Sequence, residues 1–380
     1  MILTRKTGMA HRMDSSAADL SNRTKGFVAM AERVASGEMI GNLVTVLSAI
    51  DTPLGLIPMT RNDGRGPTCY ICCPSVAYLD YAISELRHFS APPLVKGMLR
   101  GLIGAMRPLV WASGLDRQVQ PNNWLLATNP VPALDAADIR ALTQDLVAAH
   151  PDHAIVWRSL NDGAGGAAIA AFRAAGYAML PARQIYLFDC RTAQVPGHRD
   201  EKRDAALLGQ PDYQVTGPAA IGGADIGRMA DLYAKLYLDK YTPLNPRYSA
   251  EFLAEVHRTG LFELQGLRNA AGVLDGFVGF FDAGSVMTAP VVGYDTALPA
   301  ELGLYRRLMA IALGRARQRQ LLFNMSAGAA SFKRNRGAVA ALEHTAVFNT
   351  HLGRRQKLAG WLMRKILETI GIPVLRSFEQ

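Results

Sequence analysis

From Asn122 onward, apolar positions alternate between short β-type runs and stretches with helical spacing. Trp124 to Thr128 predicts a strand, Ala133 to Ala149 an amphipathic helix, Ala154 to Leu160 a strand, Ala167 to Ala175 a helix closed by Gly176, and Met179 to Phe188 a strand. Ahead of these, Leu43 to Ile50 and Leu54 to Met59 flank an Asp-Thr-Pro turn and predict a hairpin. Two helices follow, Val76 to Phe89 and Leu94 to Trp111. The second mixes Lys96, Arg100 and Arg107 with apolar residues, which suits a membrane surface or, as we favour, packing on a neighbouring domain. Asp189 to Pro211 is dense in charge and turn residues and predicts a linker, with a domain boundary near residue 200.

The second half predicts a helix over Ile226 to Leu238, a Tyr- and Pro-rich loop, and a helix over Ala250 to Arg258. Leu261 to Arg268, Val273 to Phe281 and Val286 to Tyr294 predict an antiparallel meander joined by NAAG and DAGS turns. A long helix runs from Pro299 to about Arg319. Leu321 to Phe348 then predicts strand, polar loop, short helix, a turn at Gly337 and a returning strand from Glu343. The order strand, helix, strand, helix, strand thus occurs twice, from Trp124 to Phe188 and from Val286 to Phe348. Ala171-Phe172-Arg173 before Gly176 matches Ser331-Phe332-Lys333 before Gly337, and this predicts two similar domains in tandem.

Composition narrows the class. With 380 residues, 49% hydrophobic and 19% charged, the chain can bury two ordinary cores. No apolar run reaches the length of a membrane span and the first residues lack the apolar core of a secretory signal, so the expectation is a cytoplasmic protein. Residues 1–25 read as a loose tail, 26–200 and 201–350 as the two domains, and 351–380 as a basic amphipathic helix that suits contact with anionic lipid or, as we favour, docking on the core. Cys69, Cys72 and Cys73 crowd into one segment without a second ligand pair, so a buried strand is expected there and no metal. A formal charge of +9 fits an anionic partner: a phosphorylated cofactor, an RNA or an anionic membrane face.

Candidate site residues sit at element ends. Asn324 and Ser326, at alternate positions at the end of a strand, face either a cleft or the loop that follows. Lys333, Arg334 and Arg336 read as phosphate ligands or as a solvated helix face. Glu343 and His344 are a candidate base or a surface pair. Tyr241, Asn245 and Tyr248 occupy a segment that suits an acceptor-binding loop or a Pro-fixed connector.

A meander, a helix, a parallel strand, a short helix and a final strand resemble the GNAT acyltransferase superfamily. The stretch FNMSAGAASFKRNRGAVAALEHTAVF is similar to the ending found in its tandem, Fem-like branch. The resemblance implies an α/β fold of two tandem GNAT-like domains, each a mixed sheet with an antiparallel meander and helices on both faces. It implies an acyl-CoA co-substrate whose phosphates meet the amino end of the long helix, at Leu302, Gly303 and Tyr305, with Lys333 and Arg334 nearby. The superfamily's phosphate loop, Q/R-x-x-G-x-G/A, is not intact in either half: Leu298 to Gly303 has a single glycine and Pro130 to Leu134 has none. The implied activity is direct acyl transfer to the amine of a small molecule, with Asn324, Ser326, Glu343 and His344 as candidate catalytic groups. Two alternatives stand beside it: an aminoacyl donor carried by tRNA, and a non-catalytic module that binds an acyl ligand.

Overall fold

The computed structural model of the protein describes residues 2–3, 15–64, 66, 69–87, 91–163, 166–192 and 197–377. The chain divides into two compact units. One comprises Met1–Gly37, Asn42–Gln184 and Leu342–Gln380, the other Glu38–Gly41 and Ile185–Ala341. The expected boundary near residue 200 falls inside the second unit. Among the described residues, no helix is long and apolar enough to cross a membrane.

The elements, in chain order, are β1 (Ile2–Leu3), α1 (Ser15–Arg33), β2 (Val46–Thr52), β3 (Gly55–Asp63), α2 (Pro93–Ala105), α3 (Arg107–Ala112), β4 (Arg117–Pro121), α4 (Ala136–Ala149), β5 (Ala154–Asn161), α5 (Gly166–Ala174) and β6 (Ala178–Asp189). They continue with α6 (Arg199–Leu207), β7 (Tyr213–Thr216), α7 (Gly223–Tyr233), α8 (Ala250–Arg258), β8 (Glu263–Asn269), β9 (Leu274–Ala283), β10 (Val286–Tyr294), α9 (Leu304–Gln318), β11 (Leu322–Asn324), α10 (Ala330–Arg334), β12 (Val339–Phe348) and α11 (Arg354–Ile366). This is a mixed α/β architecture, and both units follow the order meander, long helix, parallel strand, short helix.

In the first unit, β2, β3 and β4 are antiparallel neighbours and β5 runs parallel to β4. The hairpin turn closes because the Thr52 hydroxyl donates to Gly55 O (2.7 Å) and accepts from Leu54 N (3.2 Å). In the second unit, β7 to β10 form an antiparallel meander and β11 runs parallel to β10. The two repeats end alike. Gly176 and Gly337 both take φ of 92°, and the N–H groups around them return to helix carbonyls: Tyr177 to Phe172 (3.0 Å) and Ala338 to Lys333 (3.1 Å). This Schellman closure needs a left-handed residue, which glycine adopts at least cost. It also shifts the expected match by one residue, because Phe172 and Lys333 now occupy the same position.

The strand that follows each short helix pairs with the other repeat's parallel strand. In the first unit, β12 lies antiparallel to β5, with Glu343 opposite Asn161 and Phe348 opposite Ile155. In the second, the end of β6 lies antiparallel to β11, with Leu187 opposite Asn324. Val156, Trp157, Phe172, Tyr177 and Ala346 are buried in the first unit, and Phe188, Phe277, Val278, Leu308 and Phe323 in the second.

Four expectations need correction. Trp124 to Thr128 is irregular, with Asn122 and Leu125 at positive φ. Asn129 and Asn123 side chains accept the N–H groups of Trp124 and Leu125, which a ladder would otherwise use. Cys69 to Cys73 is a buried turn, where Asn123 donates to the Cys72 sulfur (3.3 Å) and burial pushes that thiol up to about 11. The expected linker contains α6, whose carboxylates are ion-pair partners: Asp204 is fully buried between Arg306 and Arg336, each at 2.6 Å. Residues 15–25 of the expected tail belong to α1, held where Ser21 and Thr24 hydroxyls bond both backbone groups of Leu56. Apart from β1, the remainder of that tail lies outside the described residues.

Candidate functional site

In the second unit β10 and β11 run side by side for only three residue pairs, Val286 with Leu322 to Thr288 with Asn324. Beyond Thr288 the register of β10 shifts, at Ala289 and at Pro290, which has no N–H for a ladder. β11 ends at Asn324, and Ser326, Gly328 and Ala329 turn away at positive φ. Two parallel strands therefore splay, and among the described residues the buried Thr288 hydroxyl has no hydrogen-bond partner.

The loop from β10 leads to the amino end of α9. Asp295 anchors it, accepting from Arg228 (2.7 Å), Lys235 (3.1 Å) and Ala297 N (3.1 Å). Burial opposes ionisation of Asp295, but these bonds outweigh it and hold the carboxyl at about 2. Leu302 and Gly303 turn their N–H groups back to Pro299 and Ala300. Gly303, at φ 62°, brings no side-chain cap. Among the described residues, the N–H groups of Leu304, Tyr305 and Arg306 consequently have no acceptor. Free N–H groups and the helix dipole favour an anion there.

Aromatic rings join the three elements around this helix end. Tyr294, at the end of β10, lies 6.1 Å from Tyr305 in the first turn of α9, and Tyr305 lies 4.9 Å from Phe332 on α10. Arg336 stacks on Phe332 at 3.4 Å, and Lys240 donates to the Tyr294 hydroxyl (3.3 Å). Burial, then Tyr241 and Tyr294, push the Tyr305 hydroxyl well above its ordinary range, so it stays protonated at neutral pH.

The expected site residues divide among several roles. Asn324 is buried and its Oδ1 accepts from Ser326 N (3.0 Å), which shapes the turn after β11. Ser326 O accepts from Tyr186 N and from Lys333. Lys333 is buried, its amine bound to the carbonyls of Met325 (2.7 Å), Ser326 (3.1 Å) and Ala327 (2.8 Å) and 5.5 Å from the centre of the Tyr186 ring. It clamps the loop and is not part of a solvated helix face. Arg336 is buried and paired with Asp204, while Arg334 is half-buried on α10.

Asn245 donates to Tyr237 O (2.9 Å), and Tyr248 is buried against Phe252, ring to ring at 4.7 Å, so both serve the scaffold. Tyr241 is exposed, at the end of a π-helical turn over Ala234–Tyr241. Glu343 and His344 are buried in the first unit, not a surface pair. Glu343 binds Arg183 through both oxygens, at 2.8 and 3.3 Å. Burial holds the His344 imidazole below its ordinary range.

The first unit differs at each corresponding point. Residues 122–130 occupy the space beside β5: Asn129 N donates to the Ser159 hydroxyl (2.9 Å), Arg158 donates to the carbonyls of Leu126 and Ala127, and Arg183 donates to Ala127 O and to the Thr128 hydroxyl. The amino end of α4 is closed by the Asp135 carboxylate, which accepts from Ala137 and Asp138 N–H, both at 2.8 Å. The Arg183–Glu343 pair joins residues 160 apart in the chain, and no local signal marks it. Asp135 fell inside the helix expected from Ala133, and its short acceptor side chain was the signal that could have placed the cap there. Among the described residues no three His, Cys, Asp or Glu side chains group as a metal would need.

No protein-family model and no curated protein matches the sequence. Solved structures resemble it at low identity. FemX is 11% identical, with a TM-score of 0.45 over 62% of this chain and 85% of its own. A conserved protein of unknown function from Bacteroides thetaiotaomicron is 13% identical, with a TM-score of 0.44 over 90% and 95%. The C-terminal domain of a putative lysylphosphatidylglycerol synthetase from Agrobacterium fabrum is 14% identical, with a TM-score of 0.43 over 61% and 79%.

Proposed function

We propose that the second unit is an acyltransferase site that moves an acyl group from a coenzyme A thioester to an amine. The observation that carries this reading is the open amino end of α9 beside strands that splay, where among the described residues nothing accepts the N–H groups of Leu304 to Arg306. Those groups fit a pyrophosphate without the second glycine of the usual loop, because Gly303 already takes the left-handed turn. A thioester bound there supplies the activated carbonyl. The stretch of β10 at Ala289 and Pro290, where the ladder is interrupted, positions it. The amine nitrogen bonds to the carbonyl carbon as the carbon–sulfur bond breaks, and the departing sulfur takes up a proton. That proton is the one the nitrogen loses, carried between them by water, so the step draws no proton from the protein.

An aminoacyl ester carried by tRNA is the second reading, favoured by the charge of +9. Calorimetry with acetyl-CoA, longer acyl-CoAs and charged tRNA separates the two. Tight binding of an acyl-CoA, weakened in Gly303→Asp, together with transfer to an amine, is expected. Binding of charged tRNA alone moves the reading to the ester donor, and binding without turnover leaves a ligand-binding module.

A further inference from the structure

The first unit carries apolar surface that its own core does not cover. None of the thirteen residues of α2 is buried. Leu94 (75% exposed), Met98 (67%), Gly101 and Ala105 follow one another at helical spacing along one stripe. In α11, Ala359 and Met363 are buried, while Leu358, Trp361 and Leu362 share an exposed face. Both helices pack on α3, where Met106, Val110, Ile103, Met363 and Ile366 share one core. The chain has four tryptophans. Trp124 and Trp157 are 1% exposed, whereas Trp111 and Trp361, on α3 and α11, are 41% and 48% exposed.

Charge on these helices has one sign. Residues 91–113 contain Lys96, Arg100 and Arg107, and residues 351–366 contain Arg354, Arg355, Lys357, Arg364 and Lys365, with no acidic residue in either stretch. Among the described residues Asp80 pairs with Arg107, Glu368 pairs with Arg364 and Lys365, and Arg100, Arg354 and Arg355 form no ion pair. A second copy docked on this surface would bring like charges together. A plane of lipid phosphates instead matches the cations. Leu, Met and Trp enter the acyl boundary, and the long basic side chains reach back to the headgroups.

We infer that α2, α3 and α11 form a surface by which the first unit binds anionic lipid bilayers. The inference is independent of the acyl-transfer reading, which concerns the second unit. It reverses our expectation that α2 packs on a neighbouring domain. The test is flotation of the full chain with vesicles of phosphatidylglycerol and phosphatidylcholine, compared with phosphatidylcholine alone, at low and high salt. Binding to the anionic vesicles is expected, weakened by salt, with a blue shift of tryptophan emission that is reduced in Trp361→Phe. The double substitution Leu94→Glu and Met98→Glu should weaken binding by about tenfold or more without lowering Tm, since both side chains are exposed. Absence of binding to anionic vesicles overturns the inference, as does undiminished binding of the double variant. Concentration-dependent dimers that the same substitutions abolish, in a protein that ignores vesicles, would assign the surface to a second copy and overturn it equally.

Discussion

The two units use one order of elements and treat the amino end of the long helix in opposite ways. In the first, Asp135 caps α4, and residues 122–130 are bonded in place beside β5 through Asn129, Arg158 and Arg183. In the second, Gly303 leaves α9 uncapped and the loop before it is held from behind by Asp295. A carboxylate at a helix end stabilises the fold and excludes an anionic ligand at once. The difference teaches where such a repeat can admit an anion: where it leaves its own polar groups unsatisfied. The same contrast appears after each parallel strand. Phe172 fills its position with a ring packed on Trp157 and Tyr177, while Lys333 fills the equivalent one with a chain that gathers three carbonyls.

That last pair gives the largest expected effects. Phe172→Ala should cost about 3–5 kcal/mol as a core cavity, and Lys333→Ala roughly 1–3 kcal/mol, because the loop carbonyls lose their donor. Chemical denaturation of both variants checks it. A Lys333→Ala protein of unchanged stability but weakened donor binding would return this residue to the phosphates and break the equivalence.

Gly303→Asp copies the first unit's closure onto the second. The new carboxylate should weaken acyl-CoA binding about a hundredfold, roughly 3 kcal/mol, by occupying and repelling. Gly303→Asn supplies the control. Both substitutions carry the strain of φ 62°, and both place a Cβ 3.2 Å from Leu207, at a shared cost of about 1 kcal/mol. Equal loss of affinity in the two, read by calorimetry, would assign the effect to backbone and not to charge.

The reverse substitution, Asp135→Ala, should cost about 1 kcal/mol of stability and leave donor affinity unchanged, since residues 122–130 still occupy the first unit. A second equivalent of bound acyl-CoA would show instead that the cap alone had closed it.

The smallest effect concerns the loop anchor. The Asp295 carboxyl is lower in the folded protein, at about 2, than the ordinary 3.8, so the folded state binds fewer protons. Its contribution is therefore complete above about pH 4 and is lost as pH falls toward 2. Asp295→Asn should lower stability by about 1 kcal/mol or less at neutral pH, since the cations are partly exposed. The difference between variant and parent should vanish in acid melting curves. A constant difference down to pH 2 would mean the side chain matters by shape alone.

Much of this was local and therefore legible. The meander from β8 to β10, helices α8 and α9, and the turns at Gly176 and Gly337 follow from periodicity and from φ values that glycine tolerates, which neighbouring residues set among themselves. The resemblance likewise pointed to the amino end of the long helix. Three things were decided only by tertiary structure. Strand alternation says that β6 and β12 are strands, but not that each lies beside the other repeat's parallel strand, because pairing partners are chosen by contacts far apart in sequence. A basic residue on a short helix reads the same whether solvated or buried; Lys333 was settled by three carbonyls converging within its reach. The apolar stripe of α2 looks in sequence like any core-facing helix. It is surface because the fold supplies no layer to cover it, and coverage is a property of the assembled molecule rather than of the segment.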